Sequence, residues 1–385
     1  MKRTFSGFPP DFLKLWAGQT VSEFGSHITG AGIPLIAVIT LAASPAQMGI
    51  LTAVASVPVL IFGLFAGVWV DRLRRRPILI AADLFRVALL LTIPAAALSG
   101  HLSIELLYLV IALMGVLGLV FRTAYHAYLP SLVEREQIVA ANSRLSTSDS
   151  LAEIGGPALA GVLIQVISAP LAIIFDALTF IFSATAFSLI RKPEPKPSPR
   201  AEGRSMRHEI AEGVRVVAHD PVLRALAMGL GLRSFFGSFI GTLYFLYGIR
   251  DLGLTPSMVG ISIAAGGIGA LAGALLASRV QKRFGLGRTL VVALLVSGLF
   301  NLLIPLAGGS PALAAGLLII GQIIGDAAMM VYGINSLSLV QIITPDRLLG
   351  RTNASFGFIA EGIAPVGALI AGALATGLGA RVTLL

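Results

Sequence analysis

The chain contains no cysteine, which excludes disulfide scaffolds, cysteine-ligated zinc sites and thiol catalysis. It is also poor in charge: only 12% of its 385 residues are Asp, Glu, Lys or Arg, about half the roughly 25% usual in soluble domains. No lysine completes the pattern G-x-x-x-x-G-K-[ST], so there is no P-loop, and energy for any work must come from a gradient rather than from ATP by that route. The five histidines, at 27, 101, 126, 208 and 219, lie in separate segments, so their spacing points to no metal centre and no cofactor is expected. What fills the chain instead is apolar. Hydrophobic residues make up 56% of it, with 43 glycines and a mean hydropathy of +0.89. These features describe a polytopic helical membrane protein, all-α and not an enzyme.

Eleven apolar runs are long enough to cross a bilayer, at about 20 residues each: 12–40, 46–70, 77–98, 104–129, 144–168, 170–191, 221–248, 257–280, 287–307, 311–340 and 350–377. The first follows Lys2 and Arg3, carries Gln19, Glu23 and His27, and lacks a small-residue cleavage site, so it reads as a retained span rather than a signal peptide. The net charge of +9 resolves into topology. Lys and Arg gather at alternate connections: the N-terminus, 72–76, 135 and 144, 191–224, 279–288, and 347 with 351. The connections 42–45, 99–103, 169 and 308–310 carry none. This alternation places the N-terminus in the cytoplasm, and the compact loops favour a bacterial inner (plasma) membrane; no nucleic-acid partner is expected.

The charged, Pro-rich stretch 191–204 divides the chain. The expected organisation is a six-helix bundle over 1–190, a cytoplasmic linker over 191–220 and a second bundle over 221–385. Within the linker, Met206, Ile210, Val214 and Val217 recur opposite Arg204, Arg207 and Arg215. Such a helix either lies on the inner membrane surface or packs on neighbouring loops. The halves also repeat. Gly67 to Arg72 is answered by Gly273 to Arg279 at an offset of 206 to 207, and Glu153 to Pro157 by Glu361 to Pro365 at an offset of 208. Completing that repeat would need a twelfth helix beyond Leu385, so the twelfth helix is expected to be truncated in this sequence.

Gly67, Asp71, Arg72, Arg75 and Arg76 fill most of G-x-x-x-D-R-x-x-R-R between the second and third spans. Gly permits close helix approach, Asp accepts from a neighbouring helix N-terminus, and Arg anchors at lipid phosphates; the structural alternative is a basic loop that only sets topology. The pattern resembles motif A of the major facilitator superfamily, although Arg74 replaces the family's second Gly. Gly155, Gly156, Pro157 and Gly161 resemble the Gly-Pro motif C of exporters in that superfamily, or else serve ordinary small-residue packing. The Arg that the family's motif B would place near Ala112 is missing. Phe12 to Ser22, Leu129 to Val133, Asp176 to Phe180 and Pro345 to Arg351 narrow the resemblance to the branch containing macrolide efflux permeases and the enterobactin exporter.

That resemblance implies the major facilitator fold, two six-helix bundles related by a pseudo-two-fold axis. It implies a cytoplasmic gate latch at Asp71; Asp83 and Arg86, three residues apart on the third span, are expected to pair locally and support that network. The resemblance also implies export of a small amphipathic drug, macrolide or siderophore in exchange for protons. A monomer in contact with membrane lipids is expected. Uptake by symport, a non-transporting sensor and a scramblase are the alternatives.

Ionisable groups within spans are functional candidates by default. Gln19, Glu23 and His27 recur at i, i+4 and i+8, a polar stripe on one helix face. Applying the offset of 208 sets Arg233 beside Glu23 in depth, so the two are expected to face each other across a cavity, unless Glu23 serves packing and Arg233 snorkels. Glu153 and Glu361 flank the bending prolines of both halves, and Asp326 is either a further cavity group or a buried structural one.

Overall fold

Proline and capping residues cut the apolar runs into helices. The computed structural model describes residues 7–71, 73–194 and 214–385. Its long helices are α1 (Pro10–Leu35), α2 (Pro45–Asp71), α3 (Arg75–Leu98), α4 (Ile104–Leu132), α5 (Ile138–Val166), α6 (Ala169–Ser188), α7 (Pro221–Leu246), α8 (Pro256–Phe284), α9 (Leu286–Asn301), α10 (Pro311–Ile343) and α11 (Asp346–Leu378), followed by a short α12 (Ala380–Leu384). No strand occurs among the described residues. Inside hydrocarbon every backbone N–H and C=O needs an internal partner, which a helix supplies along its length. Several starts are fixed by a proline in the first turn, where the missing N–H costs nothing. Asp220 caps α7 through the N–H groups of Val222 at 2.8 Å and Leu223 at 2.9 Å.

Each of the eleven expected spans falls on one long helix, but only nine of these are long and apolar enough to cross a membrane by composition, counted among the described residues. The two others are α1 and α5. They carry Asp11, Lys14 and Glu23, and Arg144, Asp149 and Glu153 respectively. They also pack on each other, which half-buries Glu23 against protein and lowers its cost, while Asp149 and Glu153 stay exposed.

Contacts divide the chain into two units. One holds the residues up to Ala43 together with those from Val57 into the linker; the other holds Ser44–Ser56 and the residues after the linker. In the first, α6 packs on both α1 and α3, with α5 on α1 and α4 on α3. Its core gathers Phe12, Leu15, Phe121, Tyr128 and Phe187. In the second, α8 packs on α10, α11 on α7 and α9 on α10. Lipid tails are as apolar as the side chains, so close packing between small residues drives association. A Cβ on Gly269 or Gly273 of α8 would overlap the backbone of Ile323 or Ala327 of α10. A Cβ on Gly49 would come 2.7 Å from the Ala368 carbonyl oxygen.

The repeat expected from the sequence has a backbone counterpart. Helix α1 ends in a π-helical turn, Ile36–Thr40, and α7 ends in another, Tyr247–Asp251. Each closes with the same pair of bonds, Leu41 N–H to Ile36 at 3.1 Å and Ala43 N–H to Ala37 at 2.8 Å, against Leu252 to Tyr247 at 3.0 Å and Leu254 to Gly248 at 2.9 Å. Residues 214–219 are helical. Val217 is buried in the core of the second unit while Val214 is exposed, so this end of the expected amphipathic helix packs on protein. Arg204, Met206, Arg207 and Ile210 lie outside the described residues.

Candidate functional site

The polar stripe of α1 meets a polar stripe of α5. Gln19 donates a short hydrogen bond to Glu23, one turn along the same helix face. His27 Nε2 lies 3.9 Å from Asp149 Oδ1 on α5. Donor atoms of Glu23, His27 and Asp149 all come within 4.8 Å of one another. Trp16 and Thr20 extend the seam by bonding Ser148 Oγ at 3.0 and 2.9 Å. Tyr125 of α4 stands near Glu23 and Asp149 with its hydroxyl buried and unpartnered. Asp149 is exposed and His27 half-buried, so the cluster opens at one side.

The Gly-Pro motif makes this meeting possible. A Cβ on Gly156 would overlap the Cβ of His27, and one on Gly155 would come 2.9 Å from the ring of Phe24. Pro157 sits inside α5, where it removes one backbone bond, and Gly161 is buried on the same helix. Glu153, one turn beyond Asp149 and exposed, adds to the negative field at His27. Two carboxylates around one imidazole can hold a proton, an organic cation or a small metal ion. The spacing of histidines along the chain had pointed to no such cluster, because Asp149, which completes it, lies on a different helix.

The basic loop before α3 is tied to the start of the linker. The Glu194 carboxylate accepts from the N–H of Arg75 at 2.6 Å and of Arg76 at 3.3 Å, and lies 3.6 Å from the Arg75 guanidinium. An acidic group at a helix N-terminus satisfies orphan donors and favours the helix dipole. Arg76 also donates to the carbonyls of Phe187, at 2.9 Å, and Ser188. These two arginines therefore bond protein, where the sequence suggested lipid phosphate. Arg72 lies outside the described residues; Gly67 and Asp71 belong to α2, and Asp71 is its last residue. Asp83 and Arg86 pair as expected, at 3.3 Å, deep inside the first unit.

The sequence matches the Major Facilitator Superfamily over residues 15–368. The chain belongs to this superfamily. Among its relatives are the multidrug efflux pump Tap of Mycolicibacterium fortuitum, 27% identical over 98% of this chain and 91% of that protein, and macrolide efflux protein A of Streptococcus pyogenes, 25% identical over 96% and 90%. Solved structures sharing the fold include a bacterial homologue of the human lysosomal transporter Spinster, with a TM-score of 0.73 at 16% identity over 95% of this chain and 83% of that one. A bacterial homologue of the iron transporter ferroportin in its inward-facing state has the same TM-score and identity over 97% of each chain. The superfamily match and the apolar helices make the chain a multi-pass membrane transporter and not an enzyme.

In this major facilitator protein the remaining candidates lie in the second unit. Arg233 of α7 and Asp326 of α10 both line a cavity of about 650 Å3, together with Gln322 and Asn301. Asp326 lies against Gly266 of α8, where a Cβ would overlap its carboxylate. Glu361 is exposed on α11. Sequence reasoning missed Asp149 and Glu194. A signal for Asp149 was present in its spacing, four residues before Glu153 on the helix that carries the Gly-Pro motif. Glu194 had no such signal, since only the folded linker brings it to α3.

Proposed function

We propose that this transporter exports amphipathic small molecules from the cytoplasm in exchange for protons, by alternating access in a bacterial inner membrane with its N-terminus inside. The observation that carries the reading is the Glu23, His27 and Asp149 cluster, an open ionisable site within the helices of a chain related to named efflux pumps. Glu23 takes up the proton or the positive charge of a substrate, and His27 with Asp149 sets how readily it does so. A proton moving through 100 mV supplies roughly 2.3 kcal/mol, enough to sustain concentrative export.

The test uses inverted vesicles energised with a proton gradient and a panel of macrolides and cationic amphipathic drugs. Dissipation of the gradient by a compound, lost in Glu23→Gln, is the expected result. Equal dissipation in both proteins would remove Glu23 from coupling, and a substrate accumulated with the opposite polarity would turn the reading into uptake.

A further inference from the structure

The interior of the first unit holds charge that neither the Glu23 cluster nor the Arg75 loop uses. Asp83 of α3 and Asp176 of α6 are both 0% exposed, and Arg86 beside them is 7% exposed. The Arg86 guanidinium lies 3.3 Å from Asp83 Oδ1 and between two rings, 4.6 Å from the centre of Phe121 and 5.0 Å from that of Phe180. It acts electrostatically on both carboxylates, and they act on each other. Backbone approach seals the pocket: a Cβ on Gly25 of α1 would overlap Asp176 and Thr179, and one on Gly118 of α4 would sit 3.5 Å from Arg86 Nη2.

Four buried oxygens here have no hydrogen-bond partner: Asp83 Oδ2, Asp176 Oδ2, Ser183 Oγ and Thr29 Oγ1. The Ser183 hydroxyl stands beside the Asp83 carboxyl and the Thr29 hydroxyl beside that of Asp176, without closing bonds of good geometry. Thr179 alone bonds Asp176, at 3.0 Å. The next charged groups from the packed helices are Glu23 of α1 and Arg122 of α4, which act on Arg86 with opposite signs.

The charge count then decides. Two ionised carboxylates and one guanidinium leave a negative charge in a sealed interior, a state that proteins avoid by taking up a proton. One proton on either carboxylate removes the excess, and the O–H so formed adds a donor beside oxygens that have no hydrogen-bond partner. We propose that Asp83 and Asp176 together bind one exchangeable proton beside Arg86, at a site separate from the Glu23 cluster. The proton comes from solution, forms an O–H bond on one carboxylate, and leaves as a proton when that bond breaks. This assignment does not depend on the direction or the substrate of transport.

Infrared difference spectroscopy of the full chain in liposomes tests it. The wild type at neutral pH is expected to show the carbonyl stretch of a protonated carboxylic acid, shifted in heavy water and lost as pH rises. Asp83→Asn and Asp176→Asn each leave one carboxylate for one guanidinium, so each abolishes that band, while Glu23→Gln leaves it in place. Thr29→Val keeps the band and moves its frequency if Asp176 carries the proton, and Ser183→Ala does so if Asp83 carries it. Should the Asn variants not fold, the wild-type pH titration and a shift in one of these two hydroxyl variants decide, and a shift in neither overturns the proposal. A band unchanged in both Asn variants, one that does not titrate, or none at any pH at which the protein stays folded overturns the proposal.

Discussion

Replacing Gly156 with Ala places a methyl group against the Cβ of His27, so α5 must retreat from α1. Overpacking of this kind costs about 1–3 kcal/mol, and it also separates Asp149 from His27 and Glu23. Gly156→Ala is therefore expected to lower thermal stability and to abolish drug-driven proton movement. Gly30→Ala, on the same α1 with nothing near its Cβ, is expected to leave both unchanged or to raise stability slightly. Scanning fluorimetry and the vesicle assay on the two variants check this; equal behaviour would show that the close approach is not required. At this scale half of the site was legible. Gln19, Glu23 and His27 share a face because helical periodicity is a local property, readable from spacing. Asp149 joins them only when two helices dock, and no spacing encodes which face of α5 meets which face of α1.

Between elements, the first helix is fastened to the linker by one carboxylate. Asp11 Oδ2 accepts from the N–H of Arg191 at 3.2 Å and Lys192 at 2.8 Å, while Oδ1 takes the Lys14 ammonium at 2.7 Å. Burial alone would raise its pKa, but the Lys14 hydrogen bond and the two backbone bonds outweigh it and hold the carboxyl below its ordinary 3.8. A lowered folded-state value means that this fastening is complete above that pH and fades only as pH falls through the folded pKa. Limited proteolysis of the linker is thus expected to be constant from neutral pH down to about 4 and to rise below it. Asp11→Asn should show the faster cleavage already at neutral pH. A linker equally protected in the variant would exclude Asp11 as the fastening. The paired π-helical turns after α1 and α7 teach the same lesson for backbone: the Glu153 and Glu361 repeat was visible in the residues, whereas the two matching turns involve Ile36–Thr40 and Tyr247–Asp251, which share no residue pattern.

For the whole molecule, charge placement and the absence of cysteine combine into one experiment. Any cysteine introduced is unique in the chain. With the N-terminus inside, Ser198→Cys in the basic linker is expected to react with a membrane-impermeant maleimide only in inverted vesicles, and Ser99→Cys only in right-side-out ones. The reverse pattern would invert the topology. The sequence by itself determined the class of molecule, its run of long helices, the superfamily motifs and the polar face of α1. Each of these follows from composition or from local periodicity, which need no knowledge of neighbours. Tertiary structure alone decided that α1 and α5 carry their charges against each other, that Glu194 caps α3, and that Asp83, Arg86 and Asp176 share one sealed interior. Those facts depend on which helix faces touch. In a membrane that choice is made by small residues such as Gly25, Gly155 and Gly156 letting particular backbones approach, an energy that arises only once the helices are in contact.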